Sequence, residues 1–227
     1  MDTPDEHPPR AAVIGAGQVG RVMAQRFAAA GYAVRALGRS MPRDLPSGAI
    51  GVAADLGTPE GVSLACREIA RGPLHALIVT AGAFAGGSAI EETAPEEFER
   101  LLWVNARLPF YVLQGLLPSL RAARGSAVLI GALGAQESRP KQVSYNASKA
   151  ALHSIVQTAA QELKGSGATV NALLPLTIDT PSNRSDMPGR DPAQWAAPER
   201  LAELALFLCS SAGRDVSGAL IPVRGGN

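Results

Sequence analysis

In the stretch "SYNASK", Tyr145 and Lys149 stand four residues apart, so on a helix they share one face. A phenol beside an ammonium is an arrangement for moving a proton to or from a substrate oxygen. A free tyrosine titrates at about 10. A cation about 4 Å away at an effective dielectric of about 20 contributes about 4 kcal/mol. That is roughly three pKa units, part of which desolvation of the phenolate cancels. The spacing therefore predicts a tyrosine acid tuned by its lysine. Thirteen positions before Tyr145, where a second hydroxyl would help hold a substrate oxygen, the chain carries Ala132. Loss of one preorganised donor costs on the order of 10²–10³ in rate. A conjugated imine or quinonoid acceptor escapes this cost by spreading the incoming electrons over its own heteroatoms. Otherwise Ser138 or Ser144 must reach the site, although Ser144 adjoins Tyr145 and is expected to point elsewhere.

A second constellation is suited to a dinucleotide. In "VIGAGQVGRVMAQ", Gly15, Gly17 and Gly20 form G-x-G-x-x-G, with Gln18 and Val19 inside the motif. The motif follows an apolar run that reads as a strand and opens a helical pattern. Missing side chains permit a tight turn and bring a pyrophosphate close to free N–H groups at the helix start. The next strand ends "RALGRS". An acidic residue there would bind an adenosine ribose and repel a 2′-phosphate, whereas Gly38 and Arg39 offer a cation. NADPH is expected over NADH, with Arg35 and Arg43 as further basic residues nearby.

These residues need a scaffold, and the hydrophobic pattern supplies one. Short apolar runs, "AAVIGAG", "AVRALGR", "HALIVTAG", "SAVLIGA", "ATVNALLP" and "GALIPVRGG", read as strands. Between them lie "GRVMAQRFAAAGY", "PEEFERLLWVNARLPFYVLQGLLPSL", "SYNASKAALHSIVQTAAQELKG" and "PERLAELALFLCSS", which read as helices. The alternation predicts an α/β fold, a Rossmann-type doubly wound parallel sheet with helices on both faces. Residues 178–198, dense in Pro, Asp, Arg and Ser, are expected to form a substrate lid beyond a strand's carboxyl end. Phe84, Ala132, Met187 and Trp195 are the expected substrate-facing positions, suited to a flat or ring-bearing ligand.

Composition narrows the function classes. The 227 residues are 46% hydrophobic, enough for one large core, so residues 11–227 read as a single domain behind a tail spanning 1–10. Lys and Arg number 21 against 20 Asp and Glu, which gives no electrostatic reason to expect nucleic acid or an anionic membrane. Cys66 and Cys209 are far apart, and His7, His75 and His153 do not cluster with them. Neither a disulfide nor a metal site is expected, and a reducing, cytoplasmic setting is. The opening "MDTPDEHPPR" has no apolar run and does not read as a signal peptide.

Taken in order, the motifs resemble the short-chain dehydrogenase/reductase family over nearly the whole chain after about Arg10. In that family an "xDL" aspartate contacts adenine, which implies Asp55 with Leu56. "NNAG" is matched by "VTAG", which implies Ala81 and Gly82, with Val79 and Thr80 in place of two asparagines. The active-site asparagine falls on Asn105 in "WVNARLPF", implying a residue that holds a proton-relay water. Tyr-x-x-x-Lys falls on Tyr145 and Lys149, which the family uses for both catalysis and cofactor binding. "PGxxxT", which holds the nicotinamide carboxamide, is matched by "PLTIDT" and implies Pro175, Ile178 and Thr180, with Leu176 replacing glycine. The family's serine falls on Ala132. The same gap, with "AGAFAGGSA" and the segment after the sixth strand, resembles a dihydropteridine reductase branch, which typically prefers NADH. The resemblance implies an oxidoreductase moving hydride from a nicotinamide cofactor, NADPH by the Gly38–Arg39 reading, to a conjugated imine, a quinonoid or an activated carbonyl. It also implies pairing of the two long central helices into a homodimer or homotetramer. Ala132 keeps a second reading open, a chain that binds NADP(H) but serves as a non-redox catalyst or regulator.

Overall fold

The computed structural model describes residues 7–40 and 44–226. Most of the expected tail, residues 1–6, and Arg43 lie outside the described residues. The domain begins a residue or two earlier than expected, because Arg10 opens the first strand and the Pro9 carbonyl accepts from the Ala33 N–H.

Among the described residues, seven strands form one parallel sheet: β1 (Arg10–Ile14), β2 (Ala33–Gly38), β3 (Ile50–Ala53), β4 (Ala76–Val79), β5 (Ser126–Ile130), β6 (Thr169–Pro175) and β7 (Leu220–Val223). Their order is β3-β2-β1-β4-β5-β6-β7, and every neighbouring pair is parallel. The chain works outward from β1 in one direction, then returns past it to β4 and continues the other way. That reversal opens a crevice at the carboxyl ends of β1 and β4. Strands β4, β5 and β6 are buried along their whole length, which accounts for their continuous apolar runs.

Helices cover both faces. Helix α1 (Gln18–Ala29) and α8 (Pro198–Leu208) pack on one, burying Met23, Phe27, Leu201 and Leu208 against Val13, Ile78 and Val128. On the other lie α2 (Pro59–Ile69), α4 (Leu108–Ala123) and α6 (Val143–Glu162), which bury Val62, Leu113, Leu116 and Val156 against Ile14, Leu77 and Leu129. Alternate strand residues point to opposite cores, as a pleated strand requires. Three shorter α-helices complete the set among the described residues: α3 (Pro95–Leu102), α5 (Gly134–Glu137) and α7 (Pro181–Asp186).

The stretch from Pro95 to Ala123, which reads as one helix in the sequence, is interrupted. Trp103–Arg107 forms a single π turn between α3 and α4. Wider turns of this kind cost helix stability and cluster at functional sites. Trp103 fixes this one from outside, its Nε1–H donating to the Leu56 carbonyl at 3.0 Å. No helix among the described residues is long and apolar enough to cross a membrane.

Candidate active site

Helix α6 carries Tyr145 and Lys149 one turn apart and packs on β6 and the π turn. Lys149 is buried, and its ammonium donates to the Ile130 carbonyl at the end of β5 at 2.7 Å. Burial pulls its pKa down to about 8. Tyr145 lies under Phe84, whose ring meets it edge-on at 4.9 Å between centroids. Phe84 is itself 60% exposed, so it shields the tyrosine from outside. Burial pushes the phenol up to about 12. The downward shift expected from the lysine charge is therefore reversed. Desolvation penalises the phenolate, and the ammonium is engaged with a carbonyl. Tyr145 is a fully protonated phenol at neutral pH, the form that can donate.

Asn105 lies in the π turn, wholly buried. Its Oδ1 accepts from the Ala83 N–H at 3.0 Å, and its Nδ2 donates to the Ala83 carbonyl at 2.9 Å and to Ser148 Oγ at 3.1 Å. Ser148 in turn donates to the Tyr145 carbonyl at 2.8 Å. The Asn105 side chain is thus committed to clamping the loop after β4 onto α6. Its Oδ1 keeps a second lone pair beyond the Ala83 contact. Gly82 explains the close approach: a Cβ there would come within 3.0 Å of Asn105 Oδ1 and 3.2 Å of Lys149 Nζ.

Ala132 follows β5 and is buried. Neither neighbouring serine supplies the absent hydroxyl. Ser144 is buried and donates to Glu97 Oε1 at 3.3 Å, away from the site as expected. Ser138 lines a cavity of about 420 Å³ with Val143, Ala147 and Ala150. Those positions lie roughly 140–200° around α6 from Tyr145 at 3.6 residues per turn, so Ser138 faces the reverse of the helix.

The glycine motif forms the expected strand–turn–helix. Gly15 has φ +104°, and a Cβ there would strike Ala81 N at 2.6 Å; one on Gly20 would strike the Gly15 carbonyl at 1.7 Å. Both glycines are required for packing. A Cβ on Gly17, in contrast, meets nothing within 4 Å. The open side of Gly17 adjoins the first turn of α1, where Gln18 and Val19 lie and which has neither an acidic residue nor a side-chain cap. That cradle fits a pyrophosphate. Thr80, which the sequence shows only as a departure from asparagine, donates to the Gly15 carbonyl at 2.8 Å and ties the loop to β4. Ala81 N–H donates to the Ile14 carbonyl at 3.0 Å.

Arg39 is exposed just past β2 and makes no ion pair with the described residues. Asp55 accepts from the Gly57 N–H at 2.9 Å and from the Thr58 hydroxyl at 3.0 Å, shaping the turn into α2, while Leu56 is buried beside it.

Beyond β6, Pro175 accepts from the Leu133 N–H at 3.2 Å. The segment 178–198 is not plain coil. An isolated bridge joins Ile178 to Ala196 and closes its base. Thr180 Oγ1 accepts from Asn183 N and caps α7, whose first residue is Pro181. Arg184 makes a two-pronged contact with Asp179 at 2.6 and 2.7 Å. Met187 follows α7 and Trp195 follows a short 3₁₀ turn; both are half-buried, and Trp195 makes no ring contact with Phe84 or Tyr145.

Comparison with known proteins agrees with this geometry. A family model described as "Enoyl-(Acyl carrier protein) reductase" matches residues 15–227. The chain is 29% identical over 219 residues to the 3-oxoacyl-[acyl-carrier-protein] reductase MabA of Mycobacterium tuberculosis, covering 92% of this chain and 87% of MabA. It is 31% identical over 179 residues to Protein FixR of Bradyrhizobium diazoefficiens, covering 74% of this chain and 64% of FixR. The solved structure of 3-ketoacyl-(acyl-carrier-protein) reductase from Brucella melitensis complexed with NADH superposes with a TM-score of 0.82 at 29% identity, over 97% of this chain and 98% of that one. With its reversed parallel sheet, its glycine cradle and its Tyr–Lys helix, the chain belongs to the short-chain dehydrogenase/reductase family of NAD(P)-dependent oxidoreductases.

Proposed function

We propose that this oxidoreductase reduces a small molecule whose reacting atom does not need two hydroxyl donors. The class comprises conjugated imines, quinonoid compounds such as a dihydropterin, and activated carbonyls. One observation carries the reading: Tyr145 and Lys149 are intact on α6, while Ala132 removes the second donor and neither Ser138 nor Ser144 replaces it. A bound nicotinamide cofactor would supply the hydride. Tyr145, protonated up to about 12, supplies the proton. Lys149 places a positive charge near the phenolate that remains, and Phe84 keeps water off the pair. The ketone named for MabA is an activated carbonyl and falls within the class.

NADPH is the proposed cofactor, supported by Arg39 and the lack of an acidic residue beside it. Gly15, Gly17, Gln18, Val19 and Gly20 would cradle the pyrophosphate, with Asp55 and Leu56 on the adenine side. Ala81, Gly82, Pro175, Ile178 and Thr180 would lie along the nicotinamide side. Phe84, Ala132, Met187 and Trp195 would border the substrate, and segment 178–198 would cover it. A homodimer or homotetramer is proposed as well, supported by Phe110, 44% exposed on α4.

Ala132 also favours a second reading, in which the chain binds NADP(H) without turning it over. Fluorescence titration with NADPH and a turnover screen separate the two. Binding with oxidation by a quinonoid or activated carbonyl acceptor supports the reductase; binding without oxidation by any acceptor supports the redox-idle reading.

A further inference from the structure

His153 lies one turn beyond Lys149 on α6, buried, and the chemistry above leaves it unused. Its Nε2 accepts from the Ala132 N–H at 3.4 Å. An accepting Nε2 cannot carry a proton, so the imidazole is the neutral Nδ1–H tautomer. Lys149, meanwhile, holds the Ile130 carbonyl at 2.7 Å. Two side chains of one helix therefore grip the carbonyl before Gly131 and the amide after it. Gly131 fits this arrangement: a Cβ there would lie 2.7 Å from His153 Nε2 and 2.4 Å from Leu174 Cδ2. The glycine leaves the space that the imidazole occupies.

We propose that His153 is a positioning residue of the active site, whose neutral imidazole holds the Gly131–Ala132 turn and thereby fixes the Ile130 carbonyl that anchors Lys149. This rests on the reductase reading for its effect on turnover, but not for the imidazole's own state. The charged group facing His153 is Lys149, on its own helix, while the turn after β5 presents Gly131 and Ala132 and β6 presents Leu174. A proton on Nε2 would remove the acceptor from Ala132 and set a second cation beside the ammonium. Consistent with this, burial and the Lys149 charge hold the imidazole down to about 4.

The test has two arms. Nitrogen NMR of the wild-type protein reads the tautomer and titration of His153 with no turnover involved. An unprotonated Nε2 that persists well below pH 6 supports the proposal, whereas an Nε2–H tautomer or titration at about 6.5 overturns it. In the second arm, His153→Phe keeps a ring but loses the acceptor, and His153→Gln restores one. His153→Phe is expected to lower kcat roughly ten- to a hundredfold through misplacement of Lys149, with KM little changed and the alkaline limb of the pH profile displaced. His153→Gln is expected to recover most of both. An unchanged kcat and pH profile in His153→Phe overturns the proposal, as does a Gln variant no better than Phe. Should His153→Phe fail to fold, the Gln variant and the wild-type titration decide. If no acceptor is reduced by the wild type, the NMR arm still decides the imidazole's role while the reductase reading fails alone.

Discussion

Tyr145, Lys149 and His153 on α6 respond to burial in ways that fix how activity and stability depend on pH. Lys149, at about 8 against 10.5, is charged at neutral pH and neutralises before it would in an unfolded chain. Reduction is therefore expected to weaken as pH rises through about 8, read from kcat across a pH series. His153, lowered from 6.5 to about 4, binds its proton more tightly in the unfolded chain. Its contribution to stability is complete above 6.5 and is lost as pH falls towards 4, on the order of 3 kcal/mol in all. Comparing urea midpoints of wild type and His153→Gln across that window should show the wild type losing more. Tyr145 has the opposite sign: its raised pKa gives stability that is present below 10 and lost as pH climbs through about 12. Removing the Phe84 shield with Phe84→Ala should bring the phenol back towards 10, visible as earlier phenolate absorbance in an alkaline titration. An unchanged midpoint would mean that Phe84 does not control the tyrosine's solvation. Tyr145→Phe should lower kcat by about 10²–10⁴ without altering the unfolding midpoint.

At the scale of elements, what the sequence revealed depended on whether the signal was local. The six strands and four long helices show in hydrophobic periodicity, and the glycine turn shows in its spacing between a strand and a helix. Strand β3 and helix α2 are weaker, since only Thr58 and Pro59 mark the helix start and β3 is half-exposed. The π turn at Trp103–Arg107 leaves no periodic trace, because it is stabilised by Asn105 and Trp103 bonding to loops more than twenty residues away. For the same reason the sequence places Asn105 at the site without its partners and carries no local signal for the site roles of Thr80 and His153. In segment 178–198 the Thr180–Pro181 pair is a helix-start signal, obscured by the polar composition around it. Asn105→Ala strands the Ala83 N–H and carbonyl and should cost about 1–3 kcal/mol, measured by denaturant unfolding; no loss would mean that the clamp carries no stability. Gly17→Ala should fold normally yet weaken NADPH binding, whereas Gly20→Ala should lower the melting temperature, because only the second Cβ collides with the backbone. Equal effects of the two would remove the distinction between open cradle and packed turn.

At the scale of the molecule, the sheet order brings the glycine turn after β1, the loop after β4, the Ala132 turn after β5 and Leu176 after β6 to one edge. Helix α6 then lays Tyr145 and Lys149 across the ends of β4 and β5, held by Ile130 on one side and Asn105 on the other. The molecule retains the donor and its charge partner while lacking a hydroxyl at Ala132, so its specificity should follow how far an acceptor spreads charge. The most direct measurement is NADPH oxidation with a quinonoid dihydropterin and an unactivated ketone in parallel, for the wild type and Ala132→Ser. Turnover of the quinonoid compound by the wild type, little changed by serine, alongside a ketone rate that serine raises by about 10²–10³, is the expected result. No oxidation of NADPH by either acceptor, with or without the serine, would contradict the assignment of this site as a reductase.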